Sequence, residues 1–249
     1  NCEQDYNVVY TITDQCGRTA MCTQVFTIDN ADPTITCPAD ETVECYEDIQ
    51  AIVDENIIAF NGGTDVTIAC DLTWNVTAVV DVKLDNCEQD YNVVYTITDQ
   101  CGRTAMCTQV FTIDNADPTI TCPADETVEC YEDIQAIVDA NIIAFNGGTD
   151  VTIACDLTWN VTAVVDAKID NCEQDYNVVY TITDQCGRTA MCSQVFTIDN
   201  ADPTITCPAD ETVECYEDIQ AIVDANIIAF NGGTDVTIAC DLTWNVTAV

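Results

Sequence analysis

The stretch VTIACDLTWNVTAVVDVKL, residues 66–84, decides the fold class because apolar side chains occupy every second position along it. Most of the positions between them hold Thr, Asp, Asn or Lys. A period of two places alternate side chains on opposite faces of a strand, which predicts a sheet with one buried and one solvated face. Since strands are usually about 5–6 residues long, we expect two strands here, with a break near residues 75–77.

These residues belong to a unit of 85 residues that recurs along the chain. The segment NCEQDYNVVYTITDQCGRTAMC begins at Asn1, Asn86 and Asn171. The aligned copies differ only at Thr23/Thr108/Ser193, Glu55/Ala140/Ala225, Val82/Ala167 and Leu84/Ile169. Solenoid coils use about 20–50 residues per repeat, whereas 85 residues suit a repeat that folds around its own core.

The repeat boundaries are expected in the segment DNADPTITCP, where prolines interrupt strand pairing. Complete repeats then cover 32–116 and 117–201. Residues 1–31 are the C-terminal part of a repeat and residues 202–249 the N-terminal part of one, and together they are six residues short of a repeat. Neither piece closes a sandwich alone. Either the chain is part of a longer one, with a processed or truncated start, or the strands of the next molecule complete each end, as in β-strand addition.

Local patterns within each repeat predict a hairpin, a kinked strand and a short helix. Residues 7–14 and 20–28 are rich in β-branched and aromatic side chains and flank a glycine turn, which predicts an antiparallel hairpin. Residues 35–45 are expected to form one strand with a kink at its proline. Residues 46–60 carry apolar side chains three or four positions apart, which favours a helix across one end of the sandwich, ended by two glycines.

The cysteines predict a disulfide framework formed in an oxidising compartment, because each repeat holds an even number of them. Zinc-bound or reduced thiols are disfavoured, since the chain has no His and no Cys-x-x-Cys spacing. Six cysteines allow 15 pairings, and sequence proximity favours Cys37–Cys45, Cys70–Cys87 and Cys101–Cys107. The predicted disulfide cysteines of the two complete repeats are Cys37, Cys45, Cys70, Cys87, Cys101, Cys107, Cys122, Cys130, Cys155, Cys172, Cys186 and Cys192.

Residues 13–45, TDQCGRTAMCTQVFTIDNADPTITCPADETVEC, resemble the junction of hyalin-type repeats in large bacterial surface proteins. The likeness lies in the Asp-x-Cys-Gly turn, the Thr-Cys-Pro opening strand and the acidic boundary with its proline. It covers about half of each repeat. The chain differs from that pattern at Arg18, Arg103 and Arg188, where the family has Asn. The resemblance implies an immunoglobulin-like β-sandwich and a role in adhesion.

The fold class predicted from periodicity, repeats and this resemblance together is all-β. We expect tandem immunoglobulin-like β-sandwich repeats of 85 residues, each with a short helix, joined head to tail.

The repeat junctions carry acidic residues that suggest calcium. Calcium prefers six to eight oxygen ligands, and carboxylates with Asn and carbonyl oxygens supply them. Asp29-Asn30-Ala31-Asp32-Pro33 is also similar to the calcium-binding linkers of cadherin-like repeats. The alternative is a solvated acidic face with diffuse counter-ions, and no EF-hand spacing is present. The predicted ligands are Asp29, Asn30, Asp32, Asp114, Asn115, Asp117, Asp199, Asn200 and Asp202; no other cofactor is expected.

Asn75-Val76-Thr77 is an N-glycosylation sequon that recurs at Asn160 and Asn245. Its Asn lies on the outward face of the alternating stretch, so a glycan is expected to fit; the alternative is a chance match multiplied by the repeat. Trp74, on the opposite face, is expected to pack in the core rather than to stack on a sugar.

The net charge of −39 excludes nucleic acid as a partner, because nothing would neutralise its phosphates, and disfavours anionic membrane surfaces. No run of about 18 apolar residues predicts a membrane span, and no signal peptide is visible. Catalytic residues are not expected: no His is present to activate a Cys, and identical repeats offer no special cleft for paired carboxylates.

We therefore expect a secreted or surface-exposed structural protein, part of an extracellular filament or stalk made of copies joined head to tail. Arrays of identical repeats also suit a second class of function, a multivalent adhesin or carbohydrate-binding protein with glycans as partners.

Overall fold

The computed structural model describes residue 2 and residues 4–249. The chain divides into two compact units, and each is described by itself. Unit 1 comprises Asn1–Ala116 with Ala154–Leu157, and unit 2 comprises Asp117–Ile153 with Thr158–Val249. The prediction for residues 1–31 includes positions 1 and 3, which lie outside the described residues.

Unit 1 is mostly strand. Its elements in chain order are β1 (Gln4–Thr13), β2 (Thr19–Ile28), β3 (Thr34–Ile35), β4 (Glu41–Val43), α1 (Tyr46–Asn61), β5 (Val66–Thr67), a 3-10 turn (Ala69–Asp71), β6 (Trp74–Val80), β7 (Asp90–Asp99) and β8 (Thr104–Ile113).

Unit 2 follows the same order with a different start and end. Its elements are β9 (Thr119–Ile120), β10 (Glu126–Val128), α2 (Tyr131–Asn146), β11 (Val151–Thr152), β12 (Trp159–Val165), β13 (Asp175–Asp184), β14 (Thr189–Ile198), β15 (Thr204–Ile205), α3 (Tyr216–Asn231) and β16 (Val236–Thr237).

The predicted hairpins form. β1 pairs antiparallel with β2, and β7 with β8. At the β7–β8 turn, the Asp99 carboxylate accepts the N–H groups of Cys101 and Arg103 at 2.8 and 2.9 Å. Gly102 has a φ of +80°, which an L side chain rarely adopts. The polar residues between the two apolar runs therefore close the turn.

Each complete repeat builds a four-stranded sheet and a second, two-stranded ladder. In unit 1 the order is β4-β8-β7-β6, with β4 parallel to β8, while β3 pairs only with β5. The prediction of one kinked strand at 35–45 is therefore wrong. Its two halves join different sheets, because the chain turns away between β3 and β4 at Pro38.

The predicted helix is confirmed, but it does more than cover one end of the sheets. α1 buries Ile49, Val53 and Phe60 in the same apolar cluster as the inner face of the four-stranded sheet. It ends where Gly62 donates to the carbonyl of Ile58 at 3.0 Å and Gly63 takes a φ of +92°. Helix and two-stranded ladder together form the layer that packs on the sheet, which makes the fold sandwich-like and mostly β.

The break in residues 66–84 lies earlier than predicted. Residues 75–77 are inside β6, whereas the chain leaves the strand conformation at the 3-10 turn. Cys70 and Asp71 both have positive φ, 56° and 52°, which ends the extended backbone between two sheets. Beyond β6 the alternation no longer marks a buried face, since Val82 is 83% exposed.

The core lies on one face of the sheet, as alternation predicts. Val93, Tyr95 and Ile97 of β7 are fully buried. The Phe60 and Tyr95 rings meet edge to face with centroids 5.2 Å apart. In unit 2, the cluster around α2 and β13 contains the equivalent residues.

Candidate functional site: the joints between repeats

The disulfides join cysteines that are far apart in sequence. They include Cys2–Cys101, Cys37–Cys107 and Cys45–Cys155 in unit 1 and Cys122–Cys192 and Cys130–Cys240 in unit 2. The predicted pairs Cys37–Cys45, Cys70–Cys87 and Cys101–Cys107 are therefore wrong.

Sequence proximity fails because neighbouring cysteines lie on different elements. Cys37 follows β3 and bonds to Cys107 on β8, so this bridge ties the two layers of one repeat together. Cys45 stands at the start of α1 and bonds to Cys155, which belongs by sequence to the following repeat. Bridges of the second kind span the joint between consecutive repeats.

Arg103 clamps the segment that precedes its repeat. Its guanidinium pairs with Asp99 at 2.7 Å and donates to the carbonyls of Asn30 and Ala31 at 2.7 and 2.9 Å. The Asp99 side chain is fully buried and that of Arg103 is 16% exposed. Burial opposes ionisation of the carboxyl, but hydrogen bonds from Arg103 outweigh it and lower the pKa of Asp99.

In the first hairpin, Arg18 pairs with Asp14 across the turn at 2.6 Å. Sequence reasoning missed the contact of Arg103 with the preceding linker. The available signal was the Arg itself, at a position where the resembling family has Asn.

The side-chain amides of the junction asparagines donate to cysteine sulfurs, one of them a free thiol and the others in disulfides. Asn30 is 6% exposed and donates to the sulfur of Cys70 at 3.1 Å. Asn115 donates to the Cys155 sulfur at 3.1 Å and to the carbonyl oxygen of Glu44. An amide engaged in this way holds the loop that carries the cysteine.

The predicted calcium site gains no support from this geometry. The junction aspartates are all exposed: Asp29, Asp32, Asp114, Asp117, Asp199 and Asp202. In the described part of the chain, no group of three or more Asp, Glu, Cys or His side chains is close enough to share a metal ion. The residues present therefore do not fit the predicted coordination.

A second asparagine completes each joint. Asn86 accepts from the N–H of Tyr46, in the first turn of α1, and donates to the carbonyl of Cys155 at 2.9 Å. In unit 2, Asn171 donates to the carbonyl of Cys240 at 2.7 Å, and Asn200 donates to its sulfur at 3.2 Å. The same set of contacts thus recurs with the repeat.

The hairpin of residues 4–28, here the opening hairpin, lacks the covering layer found in the complete repeats. Tyr10 and Ile12 are 49% and 72% exposed, although their equivalents Tyr95 and Ile97 are fully buried. The inner face of this hairpin is therefore an exposed apolar surface.

Residues 202–249, the C-terminal piece, present the opposite half of the core. They contain a groove of about 530 Å³, here the terminal groove. Ile219 of α3 is 41% exposed, whereas its equivalent Ile49 is 1% exposed. The apolar residues lining the groove are Ile205, Val236, Ile238, Leu242, Trp244 and Val246.

Free, exposed thiols lie on these same two end regions and on the repeats beside them. They are Cys16, Cys22, Cys70, Cys172, Cys207 and Cys215. Two of them, Cys70 and Cys172, were predicted in disulfides, and for this chain that prediction is wrong. The equivalents of Cys70 bond to the cysteine that starts the helix of the preceding repeat, and the described residues hold no helix before α1.

The sequon asparagines Asn75, Asn160 and Asn245 are exposed, so the predicted outward orientation is confirmed while glycosylation stays a prediction. Trp74 packs against the core as expected, and its indole N–H donates to the carbonyl of Phe60 at 3.2 Å.

None of the helices in the described residues has the length and apolar character needed to span a membrane.

No family model matches this chain, and no curated protein matches it. Among solved structures, the extracellular cadherin domains 1–4 of protocadherin gamma B7 align over 84% of this chain and 71% of theirs, at 8% identity and a TM-score of 0.27. The human desmocollin-1 ectodomain aligns over 82% of this chain and 49% of its own, at 11% identity and a TM-score of 0.21. Drosophila N-cadherin EC1–4 aligns over 80% and 59%, at 11% identity and a TM-score of 0.21. At these values the alignments do not establish a common fold, and no residue role is transferred from them.

Proposed function

We propose that this protein is a structural subunit or segment of an extracellular filament or surface stalk. Its immunoglobulin-like, disulfide-stapled repeats join head to tail with copies of itself, and its role is mechanical rather than enzymatic. The disulfides support an oxidising, extracellular location, since such bonds persist there and are rare in reducing compartments.

The observation that carries the proposal is the complementarity of the two open ends. The opening hairpin has the same sequence as residues 89–113, and residues 202–249 match residues 32–79 except for Ala225 in place of Glu55. In unit 1, those two segments close one core around Tyr95, Ile97 and Phe60. Joining the end of one copy to the start of the next would repeat this packing with the same side chains.

Such a contact continues from molecule to molecule, because the two surfaces lie at different places on each copy. Head-to-tail contacts that do not close into a ring generate filaments. Burial of the exposed apolar faces provides the driving force, at about 25 cal/mol per Å² of apolar surface.

The test is electron microscopy and light scattering of the purified chain. We expect polymers with an axial repeat equal to a whole number of sequence repeats. The variant Tyr10→Asp/Ile12→Asp places charge on the inner face of the opening hairpin and should abolish polymers. Thr23→Asp, on the outer face where the equivalent Thr108 is exposed, is the matched control and should leave them intact.

Isolated compact particles from the unaltered chain would contradict the filament. Monodisperse rods that bind a glycan or cell surface saturably would instead support the multivalent adhesin.

A further inference from the structure

We infer that the contact between copies is covalent, sealed by three disulfides between the C-terminal side of one molecule and the N-terminal side of the next. This inference rests on the proposed head-to-tail assembly and specifies its chemistry. The pairs are Cys207 with Cys22 of the second copy, Cys215 with Cys70 of the second copy, and Cys172 with Cys16 of the second copy.

The assignment follows from the bonds inside the chain, which fall into three series. The layer bridge is Cys37–Cys107 and, one repeat later, Cys122–Cys192. The helix bridge is Cys45–Cys155 and, one repeat later, Cys130–Cys240. The turn bridge is Cys2–Cys101. Each free cysteine is the next or previous member of one of these series, and each series leaves one free thiol towards each end.

The layer bridge would close the shared core. Cys22 lies on β2 opposite Tyr10, as Cys107 lies on β8 opposite Tyr95. Cys207 follows β15 beside the terminal groove, as Cys37 follows β3. When the opening hairpin of the second copy covers the groove, its Cys22 meets Cys207 as Cys107 meets Cys37.

The two free cysteines of the helix bridge already have the backbone conformation of their disulfide-bonded equivalents. The backbone of Cys70 has a φ of 56°, between the 55° of bonded Cys155 and the 57° of bonded Cys240. Asn30 holds its sulfur at 3.1 Å, the distance at which Asn115 holds that of Cys155. The partner Cys215 has a φ of −129° and a ψ of 149° at the start of α3, within a degree of Cys45. Neither residue needs to change its backbone conformation to bond.

The free cysteines of the turn bridge also make the same backbone hydrogen bonds as their disulfide-bonded equivalents. The N–H of Cys16 donates to Asp14 at 2.9 Å, as the N–H of Cys101 donates to Asp99 at 2.8 Å. The N–H of Cys172 donates to Asp170 at 2.9 Å, and the disulfide-bonded Cys87 makes the equivalent bond to Asp85 at the same distance.

Beside the turn bridge, Arg18 is placed to make the contacts that Arg103 makes within the chain. Arg18 already pairs with Asp14, but its side chain is 81% exposed, compared with 16% for Arg103. In the assembly, Arg18 of the second copy would donate to the carbonyls of Asn200 and Ala201, as Arg103 donates to those of Asn30 and Ala31.

Each new S–S bond releases two protons and two electrons from two thiols. A low-molecular-weight disulfide of the oxidised glutathione class accepts them: its S–S bond breaks and yields two small thiols. The reaction passes through a mixed disulfide attacked by the second protein thiolate.

The test uses the full chain with oxidised glutathione, followed by non-reducing electrophoresis and mass mapping of linked peptides. We expect a ladder in steps of 27.1 kDa that contains the three named pairs. One variant carries Cys16→Ser, Cys22→Ser and Cys70→Ser, and another carries Cys172→Ser, Cys207→Ser and Cys215→Ser. Each alone should give no covalent polymer, and an equal mixture should stop at the covalent dimer. Because all six thiols are exposed, the circular dichroism of both variants should match that of the unaltered chain.

Microscopy of the same samples separates the two proposals. Filaments whose chains all run as monomers on the non-reducing gel would overturn the disulfide assignment and leave the filament standing. Monomers without filaments would overturn both. A ladder that maps to other cysteine pairs, or native material that after reduction runs as one longer polypeptide, would overturn the assignment to a second copy.

Discussion

Gln109 is a fully buried polar residue that connects three elements of its repeat. Its amide donates to the carbonyl of Ala39 at 2.7 Å, ahead of β4, and accepts from the Tyr95 hydroxyl at 3.0 Å. Asn56 of α1 donates to both Gln109 and Tyr95. Burial raises the pKa of Tyr95, which keeps this hydroxyl protonated as a donor. The network therefore fixes helix and sheet in register.

Replacing Gln109 by Leu should destabilise unit 1 by about 1–3 kcal/mol, because the carbonyl of Ala39 and the Tyr95 hydroxyl lose their buried partner. The repeat supplies a matched control in Gln24→Leu. Gln24 accepts the same bond from Tyr10 at 3.0 Å, but on an exposed face. Thermal unfolding of monomeric chain measures both, and equal losses would contradict the network.

Asp99 gives unit 1 a defined acid sensitivity. Since the pKa of Asp99 is lowered in the folded state, its ionised form adds stability above the unfolded pKa of about 3.9, and this is lost as the pH falls through the folded pKa. Asp99→Asn should therefore lower the melting temperature at pH 7 and make little difference near pH 2. Melting curves from pH 7 to 2 measure it, with Asp14→Asn as the control in an exposed ion pair. A deficit that does not change with pH would refute this role.

At the scale of the element, strand formation depends on partners that sequence patterns do not reveal. Residues 41–43 and 74–80 are strands in the first complete repeat, where they flank the β7–β8 hairpin. The equivalent residues 211–213 and 244–249 have the same sequence and are not strands. Alternation alone therefore does not make these segments strands; pairing with a hairpin does.

This predicts a change in hydrogen exchange on assembly. In the monomeric chain, amides of 244–249 should exchange much faster than those of Trp74–Val80. In polymers the two should become similarly protected, because residues 244–249 then pair with the opening hairpin of the next copy. Thr23→Asp polymers serve as a positive control and the Tyr10→Asp/Ile12→Asp variant as a negative one. Protection of 244–249 in the monomer, or its absence in polymers, would count against strand addition.

The hairpins and helices could be predicted because their signals are local: alternation around a glycine turn, and a spacing of three to four before two glycines. The assignment of β3 and β4 to different sheets could not, since it depends on pairing with β5 and with β8, both distant in sequence. The predicted disulfide pairs were wrong for the same reason, because Cys45 bonds to a cysteine of the following repeat. Partners for the free cysteines can be inferred only after the bonded pairs of each series are known.

At the scale of the whole molecule, the net charge of −39 opposes the association that the apolar ends favour. Like charges on two copies repel over roughly 10 Å at 0.1 M salt and over about 30 Å at 0.01 M. Among the described residues, the cations at the joints already have partners within the chain. Arg103, for example, pairs with Asp99 and donates to the preceding linker. Screening by mobile ions therefore has to lower the barrier between copies.

We expect polymer growth to accelerate as NaCl rises from about 0.01 to 0.15 M, since the screening length shortens from roughly 30 to 8 Å over that range. The same experiment tests the calcium prediction when NaCl, MgCl₂ and CaCl₂ are compared at matched ionic strength. The exposed, unclustered junction aspartates favour diffuse screening, for which the two divalent ions should act alike. A response to calcium at micromolar concentration that magnesium does not reproduce would restore a specific junction site, and Asp32→Asn with Asp117→Asn should then abolish it. Growth that is independent of salt would instead mean that repulsion between copies does not limit assembly.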